Sequence, residues 1–433
     1  MCGICGIFGA HDRKVIKPMT ESLTHRGPDD LGYFYHRDLV SLGHRRLSII
    51  GLDSGKQPIF NEDKSIAVVF NGEIYNYKEL RTSLESQGHK FVTNTDTEVI
   101  PHLYEQYGED FANHLNGDFS IALFDSRFEI LYLIRDRFGI RTIYYHRDES
   151  GFVFGSEIKA LRASGMVSTE LDREALNYYM TLRYVPDEMT LFQGVRKVKP
   201  GTMVKLTKDS IEFKKWYNLK YSEDYQTSEN EQVEQFRDLL SDAVRLRMRS
   251  DVPVGAFLSG GIDSSVIVAM AAEHTNDMKT FSVGFRSSVD ENADARRLAE
   301  FIGTDHHDFY VGKDDYKEIT GIVRRMDEPI GDFILLPTYL LNRHASEKVK
   351  VVLTGEGADE ILGGYLHHLI LNRIWDYRKL LGKPVTSAIA MGLKQMPPSF
   401  LNMFFLTPHS LENRGKRSFW AFWVTSASYF RPT

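Results

Sequence analysis

The second half of the chain alternates short apolar segments with helical segments, and this alternation constrains the fold more than any other feature of the sequence. It predicts βαβ units, a parallel sheet, and ligand binding at the carboxyl ends of the strands. The predicted strands are Val254–Leu258, Thr280–Phe285, His306–Val311 and Val349–Leu353, and the predicted helices are Ser264–Glu273, Ala293–Ile302 and Tyr339–Ala345.

A glycine-rich turn, Ser259–Ser265, joins the first of these strands to its helix. Backbone N–H groups in such a turn can face an anion, and the helix N-terminus adds a favourable dipole. The alternative is a plain βα turn in which Asp263 or Ser264 caps the helix. Neither a Gly-Lys-Ser/Thr loop nor a G-x-G-x-x-G fingerprint occurs in the chain.

The first half predicts a mixed α+β arrangement, because short apolar strands alternate with helical patterns and with Gly- or Asn-rich turns. A polar segment at 218–232 lacks periodicity and precedes an amphipathic helix predicted at Gln232–Arg249. The other predicted strands are Ile4–Phe8, Val68–Phe70, Ile121–Phe124 and Ile130–Ile134, with helices at Tyr77–Gln87 and Asp96–Tyr107.

The chain begins Met1-Cys2-Gly3, so removal of the initiator methionine would expose an N-terminal cysteine. Its α-amine, with a pKa of about 8, would be a general base for its own thiol. Two other interpretations are an incidental cysteine at a frayed end and a redox or metal pair of Cys2 with Cys5. The sequence offers no second cysteine pair to complete a metal site.

Polar residues interrupt the apolar segments where an amino-acid ligand would need them. Arg46, at the head of a strand-like alternation through Ile50, suits a carboxylate, and Glu73 or Asp96 suits an ammonium group. The Asn71 amide and the Gly72 N–H could face an oxyanion. Each residue also has a structural alternative: Asn-Gly as a turn, Asp96 as a helix cap, and Arg46 as a structural ion pair.

The composition is that of a cytoplasmic globular protein. The chain has 433 residues, a net charge of −6 and two cysteines, which predicts no nucleic-acid partner and no disulfide framework. We expect no signal peptide and no membrane partner, because apolar segments are too short to span a bilayer.

Five motifs follow one another in the first half. They are Met1-Cys2-Gly3-Ile4-Cys5-Gly6, Arg26-Gly27-Pro28-Asp29, Arg46-Leu47-Ser48-Ile49, Asn71-Gly72-Glu73-Ile74-Tyr75-Asn76 and Gly117-Asp118-Phe119. Together they resemble the class II glutamine amidotransferases over roughly residues 2–160. The resemblance implies an N-terminal-nucleophile α/β/β/α sandwich that hydrolyses glutamine, with Cys2 as nucleophile and Asn71 and Gly72 as oxyanion hole. It implies glutamine binding by Arg46, Leu47, Ser48, Ile49, Ile50, Asn71, Gly72, Glu73 and Asp96.

The second half resembles an α/β ATP-pyrophosphatase domain, through Ser259–Ser265 and the acidic turn Thr354–Glu360. With both halves together, the chain is similar to the glutamine-hydrolysing asparagine synthetases from Cys2 to Tyr365. This implies glutamine, aspartate and ATP as substrates, a homodimer, Mg²⁺ bound by Asp263 and Asp359, and Glu356 supporting the acyl-adenylate. It implies an ATP site of Leu258, Ser259, Gly260, Gly261, Asp263, Ser264, Val283, Thr354 and Gly355.

We therefore predict a glutaminase domain at 2–205, a linker at 206–232 and a synthetase domain at 233–433. Phe333-Ile334-Leu335 departs from the family's small polar residues, which leaves open another carboxylate acceptor. The family's Arg-Val-Pro-Phe-Leu-Asp segment and catalytic lysine are absent from residues 366–433. A glutaminase-only or non-catalytic protein thus stays open. We expect glutamine hydrolysis with very slow or no asparagine formation, a less stable second domain, and exposed Phe404, Phe405, Trp420 and Phe422.

Overall fold

The computed structural model describes residues 1–149, 151–222, 226–285 and 291–365, with a few single positions up to 385. Phe404, Phe405, Trp420 and Phe422 lie outside the described residues. The chain divides into two compact units, one of Met1–Leu176 with Tyr184–Thr354 and the other of Asn177–Arg183 with Gly355–Thr433. None of the described helices combines the length and the apolar character that a bilayer crossing would need.

Two antiparallel six-stranded sheets form the first half. The first sheet has the order β10-β8-β9-β1-β3-β2, and the second has the order β12-β11-β7-β6-β5-β4. The strands are β1 Gly3–Phe8, β2 Asp30–His36, β3 Val40–Arg46, β4 Ile59–Phe60, β5 Ile66–Ile74, β6 Gly117–Asp125, β7 Ile130–Arg135, β8 Tyr144–Asp148, β9 Gly151–Gly155, β10 Arg196–Lys197, β11 Thr202–Leu206 and β12 Ile211–Lys215.

Helices cover the outer face of each sheet, so the half has four layers. The helices are α1 Ile16–Glu21, α2 Tyr77–Ser86, α3 Val99–Tyr107, α4 Ile158–Ala163 and α5 Arg173–Leu182. Met19 of α1 and Leu161 of α4 pack on the first sheet, and Leu84 of α2 and Leu103 of α3 pack on the second. A third cluster, including Ile4 and Phe124, fills the space between the sheets. The predicted α/β/β/α sandwich is confirmed.

The remaining elements build a smaller parallel sheet of order β15-β14-β13-β16. Val268 and Ala295 pack on one face of the sheet with Ala256, whereas Ala345 packs on the other face with Phe281, which confirms the predicted α/β arrangement. The elements are α6 Glu229–Arg247, β13 Val254–Phe257, α7 Ile262–Ala272, β14 Lys279–Gly284, α8 Asn292–Ile302, β15 Asp305–Tyr310, α9 Ile319–Arg325, α10 Leu335–Ser346, β16 Val351–Leu353 and α11 Ala358–Leu362.

Among the local predictions that differ from the structure, three concern the site and the linker. The strand predicted to begin at Arg46 instead ends there, and the Arg46 guanidinium donates to the carbonyl groups of Ile50 and Gly51, four and five residues further on. Residues 211–215, predicted as linker, form β12 and pair with β11 along five residues. The third helix begins at Val99 rather than Asp96, since the Asp96 carboxylate accepts from the N–H of Ile74 on β5.

Candidate active site

Cys2 immediately precedes β1, and its thiol faces the loop that follows β3. The Leu47 N–H lies 3.4 Å from the sulfur, and the sulfur lies 3.7 Å from the Leu47 carbonyl oxygen. The Cys2 carbonyl accepts a 2.7 Å hydrogen bond from Arg26 Nε, and Arg26 is held by a 2.9 Å ion pair with Glu157. The Cys2 backbone is therefore held by Arg26, and the Cys2 sulfur is held by the backbone of Leu47.

Cys5 is a core residue. Its fully buried sulfur lies 3.4 Å from Thr20 Oγ1, inside the cluster between the first sheet and its helices. Burial raises the pKa of the Cys5 thiol to about 12, so it is protonated at neutral pH. Both cysteines are free, and the pairing of Cys2 with Cys5 is not formed.

The N-terminal amine lies in the same region as the thiol. Burial lowers the pKa of the Met1 amine to about 6; Cys2 opposes this shift, while the nearby Arg26 and Arg141 increase it. Burial also raises the pKa of the Cys2 thiol, and the Leu47 hydrogen bond opposes that effect. In a chain processed at Met1, the α-amine would belong to Cys2 itself and would lie beside the thiol whose proton it would accept.

A polar pocket opens beside the Cys2 sulfur. It brings together most of the residues predicted to bind glutamine, but neither Ser48 nor Asn71 lines it. The Ser48 N–H instead donates to Asp29 (2.9 Å), and the Asn71 amide lies 3.4 Å from Ser120 Oγ. The lining residues are Cys2, Arg46, Leu47, Ile49, Ile50, Gly55, Gln57, Phe70, Gly72, Glu73, Thr95, Asp96 and Thr97.

Arg46 holds the pocket loop together. Its guanidinium donates to the carbonyl groups of Ile50 (3.1 Å), Gly51 (2.7 Å) and Leu52 (3.2 Å). A Cβ on Gly55 would lie 2.0 Å from Arg46 Nη2, so only glycine permits this approach. Because guanidinium has five N–H groups, two remain for a ligand carboxylate.

A cluster of carboxylates forms the opposite side of the site. Glu73 and Asp118 face each other across β5 and β6, and Arg141 pairs with Asp118 at 3.1 Å. Burial raises the pKa of Asp96 to about 6. Burial, together with Asp96 and Asp118, holds the pKa of Glu73 well above its usual range. A buried excess of carboxylates is complementary to an ammonium group, which would lower both pKa values.

Asn71 and Gly72 lie within β5, so the interpretation of this dipeptide as a turn is wrong. A Cβ on Gly72 would lie 2.1 Å from the Asp118 carbonyl oxygen, which explains the need for glycine. Gly72 lines the pocket with Cys2, as a donor to an oxyanion must. The oxyanion role of the Asn71 side chain, now directed at Ser120, stays a prediction.

The glycine-rich turn lies between β13 and α7. Gly260 adopts a φ of +80°, and Gly261 is the N-cap of α7 without any side-chain capping bond. The alternative in which Asp263 or Ser264 caps the helix is therefore wrong. Ser259 and Ser264 hydroxyls lie 3.0 Å apart and brace the turn. The N–H groups of the first helical turn thus have no side-chain cap to compete with an anion.

Several residues predicted to bind ATP lie at one edge of the parallel sheet, where its strands end. Leu258 and Ser259 follow β13, Val283 lies near the end of β14, and Thr354 follows β16. The Leu258 side chain is buried in the core, so only its backbone can meet a ligand. Gly355, Glu356 and Asp359 belong to the second unit, where Asp359 lies in the first turn of α11.

Five pocket residues were missed by the sequence analysis. Thr95 and Thr97 flank the predicted Asp96, so their position beside a candidate acid was a usable signal. Gly55 and Gln57 lie in a loop without periodicity, and Phe70 is an apolar strand residue. Gln57 is anchored by accepting a 2.7 Å hydrogen bond from the Phe70 N–H, a contact that only the fold reveals.

The fold and the site define a protein of two parts, an α/β/β/α sandwich with a cysteine at its pocket and a smaller parallel α/β sheet, and comparisons with known families agree. The family described as "Glutamine amidotransferase domain" matches residues 1–217, and the family described as "Asparagine synthase" matches residues 235–428. The chain belongs to the family of glutamine-hydrolysing asparagine synthetases.

Individual relatives give the extent of the match. The chain is 40% identical over 406 residues to asparagine synthetase [glutamine-hydrolyzing] 1 of Bacillus subtilis (strain 168), covering 92% of this chain and 62% of that protein. It is 37% identical over 410 residues to putative asparagine synthetase [glutamine-hydrolyzing] 2 of Methanocaldococcus jannaschii, covering 88% and 78%. The chain thus spans less than two thirds of the Bacillus relative. A solved glutamine phosphoribosylpyrophosphate amidotransferase from B. subtilis is similar at a TM-score of 0.40 and 17% identity, covering 71% of this chain and 65% of that chain.

Proposed function

We propose that this chain is a glutamine-dependent asparagine synthetase, which hydrolyses glutamine at Cys2 and transfers the ammonia to an activated aspartate. The observation that carries the proposal is the Cys2 sulfur at a pocket that also holds Arg46, Glu73 and Asp96. This arrangement presents a nucleophile, a cation and two carboxylates to a single amino-acid ligand. Family membership supports the proposal for the second half.

At the first centre, the Cys2 α-amine takes the thiol proton, and the sulfur attacks the carboxamide carbon of glutamine. The Gly72 N–H, with the Asn71 amide, stabilises the oxyanion. The Cys2 ammonium returns the thiol proton to the departing nitrogen, so that collapse expels ammonia and leaves a γ-glutamyl thioester, which water hydrolyses to glutamate and free thiol. The carboxylates of Glu73 and Asp96 hold the substrate ammonium, and the remaining N–H groups of Arg46 hold its carboxylate.

At the second centre, the aspartate side-chain carboxylate attacks the α-phosphorus of ATP, and pyrophosphate leaves. Ammonia then displaces AMP from the β-aspartyl carbon and gives asparagine. The turn at 259–264 would bind phosphate through backbone N–H groups, with Val283, Thr354 and Gly355 completing the nucleotide site. Glu356 would support formation of the acyl-adenylate.

Magnesium fits the donors available at this centre. Carboxylate oxygens are its preferred protein ligands, and Asp263 lies in the first turn of α7 beside the phosphate turn. Asp263 and Asp359 would hold Mg²⁺, which would offset charge on the ATP phosphates. Ammonia would travel by a route sealed from bulk water.

The proposed function also implies a domain division, a cellular location and a set of partners. We infer a domain division near 205 and 233, cytoplasmic location, small-molecule substrates without a nucleic-acid or membrane partner, and a homodimer. The described interface between the two predicted domains supports their cooperation: the Tyr144 hydroxyl donates to Glu328 (2.9 Å), and Lys159 pairs with Asp327 (3.3 Å).

The test is to incubate the full chain with glutamine, ATP, Mg²⁺ and aspartate, and to measure glutamate, pyrophosphate and asparagine separately. Formation of all three supports the proposal. If pyrophosphate forms only when another carboxylic acid replaces aspartate, the acceptor is that acid. This second candidate function is favoured by Phe333 and Ile334, which are 88% and 55% exposed. Glutamate alone would leave a glutaminase and contradict the synthetase assignment.

A further inference from the structure

A cluster of two histidines and two glutamates lies beside α3, among residues that the proposed chemistry does not use. Glu62 precedes β5, His89 follows α2, and His102 and Glu105 are three residues apart on α3. One ligand atom from each residue can be chosen so that all four lie within 4.8 Å of one another. Three separate segments of the chain therefore present metal-ligand atoms to one point.

The distances suit a tetrahedral ion. His102 Nδ1 lies 3.3 Å from Glu62 and 3.7 Å from Glu105, and His89 Nδ1 lies 3.4 Å from Glu62 and 3.9 Å from Glu105. Zinc bonds of 2.0–2.2 Å to nitrogen and oxygen place neighbouring tetrahedral ligands about 3.3–3.5 Å apart. The two contacts to Glu62, one through each of its carboxylate oxygens, already have this length, and the two contacts to Glu105 exceed it by a few tenths of an ångström.

His102 supplies an independent reason to expect a ligand. Its side chain is 1% exposed, yet neither ring nitrogen makes a hydrogen bond among the described residues. Glu105 Oε2 is likewise buried and without a hydrogen-bond partner there. Buried polar atoms are almost always satisfied, because each unsatisfied group costs free energy. A metal bond to His102 Nδ1 and Glu105 Oε2 would satisfy both atoms.

The surroundings orient these ligands as they do around known metal centres. The Asn61 amide donates to Glu105 Oε1 (2.8 Å) and the Lys90 N–H donates to Glu62 Oε1 (2.9 Å), so each carboxylate is anchored. The second nitrogen of His102, Nε2, faces the carboxylate of Glu98 at 3.9 Å. A histidine whose other nitrogen faces a carboxylate is the usual arrangement behind a metal ligand.

We propose that Glu62, His89, His102 and Glu105 form a structural binding site for a divalent transition-metal ion of the zinc type. Mixed imidazole and carboxylate donors favour zinc over magnesium or calcium, which prefer oxygen alone. Four protein ligands close the coordination sphere, so the ion stabilises structure and takes no part in the reaction.

The site would stabilise the segment that carries Asp96. Glu98, at the start of α3, accepts hydrogen bonds from the N–H groups of Val92 (2.7 Å) and Thr93 (2.6 Å). The ion would link α3 to His89, the third residue after the end of α2, and so fix both ends of the segment between the helices. Loss of the metal ion should weaken glutamine binding, although no residue that lines the pocket is changed.

The test uses the full chain, stripped with a chelator and titrated with zinc chloride. We expect one zinc ion per chain, in the wild type and in a Cys2→Ala variant that removes the alternative thiol ligand. In the double variant His89→Gln and Glu105→Gln, zinc affinity should fall at least about 100-fold. His114→Gln, which removes an exposed imidazole outside the cluster, should bind zinc like the wild type.

Glutamine is close in size to histidine and glutamate, and a glutamine in place of Glu105 would keep an oxygen that can accept the hydrogen bond from the Asn61 amide. Circular dichroism checks the fold of the double variant. Cobalt substitution gives a second readout, because a tetrahedral site without sulfur produces intense visible bands but no thiolate charge-transfer band. Zinc should raise the thermal midpoint of the wild type and of His114→Gln, but not of the double variant. A stripped wild type that binds no zinc, or undiminished binding by the double variant, overturns the proposal.

Discussion

Asp96→Asn should stabilise the protein at neutral pH while it damages glutamine binding. The Asp96 carboxylate is 5% exposed, and its described partners are the Ile74 N–H at 2.9 Å and the Thr97 hydroxyl at 3.4 Å. Neither partner carries a positive charge. Asparagine keeps the shape of the side chain and the acceptor for Ile74, and it removes the buried charge.

The magnitude follows from the pKa. Burial raises the pKa of Asp96 from 3.8 to about 6, a difference that corresponds to about 3 kcal/mol of unfolding free energy. Because the folded state binds the proton more tightly, this contribution is complete below pH 4 and is lost as the pH rises through 6. The wild type should therefore lose most of this unfolding free energy, about 3 kcal/mol in all, between pH 4 and pH 6, whereas Asp96→Asn should not show this loss.

The assay is urea unfolding of both proteins at pH 4, 5, 6 and 7, with Asp110→Asn as the control for an exposed carboxylate. The difference between Asp96→Asn and the wild type should be near zero at pH 4 and reach its plateau at pH 7. The control should stay within about 0.5 kcal/mol of the wild type throughout. A destabilised Asp96→Asn at pH 7 would refute the reasoning, because it would mean that the carboxylate is compensated in the free enzyme.

Three further predictions concern the proposed chemistry. Cys2→Ala, or an uncleaved N-terminal tag, should abolish glutamate formation and leave ammonia-driven chemistry intact; normal glutaminase activity of the tagged protein would exclude the N-terminal mechanism. Asp263→Asn should abolish pyrophosphate release with an unchanged melting temperature, since Gly261 and not Asp263 caps α7; normal release would exclude the metal role. Asp251→Ala should raise the glutamine KM about tenfold by removing the acceptor of the 2.7 Å bond from the Gly51 N–H. Asp251→Asn, which keeps an acceptor, should remain close to the wild type, and equal KM values for all three proteins would contradict that role.

Repeating patterns made most of the fold predictable. The central strand β13 of the parallel sheet is covered on both faces, so Val254–Phe257 appears in the sequence as a continuous apolar segment, whereas the edge strand β15 is polar and only partly buried. Strand β12 was not predicted, because it lies at a sheet edge and is mostly exposed, with Lys214 and Lys215 in place of apolar residues. Helix α6 was placed three residues too late, although Ser228 and Glu231 form a capping box that the sequence displays.

The site was predictable only where a residue's role is local. Cys2, Gly72 and Asp96 could be selected from motifs, and the pocket contains all three. The partners of those residues depend on packing between distant segments, which no local pattern encodes. Arg46 is the clearest case: an arginine at the head of a strand-like alternation suggested a ligand for a carboxylate, yet most of its donors hold the backbone of its own loop.

The loop after Arg46 connects the two halves of the proposed reaction. From one side, the Arg46 guanidinium holds the carbonyl groups of Ile50 and Gly51. From the other side, Asp251, three residues before β13, accepts from the Gly51 N–H and donates its own N–H to the Ile49 carbonyl at 3.1 Å. Ile49 and Ile50 line the pocket at Cys2, whereas β13 leads directly into the turn proposed to bind phosphate. A displacement of β13 would therefore move the wall of the pocket at Cys2 through two hydrogen bonds, so the sites proposed for ATP and for glutamine are physically connected.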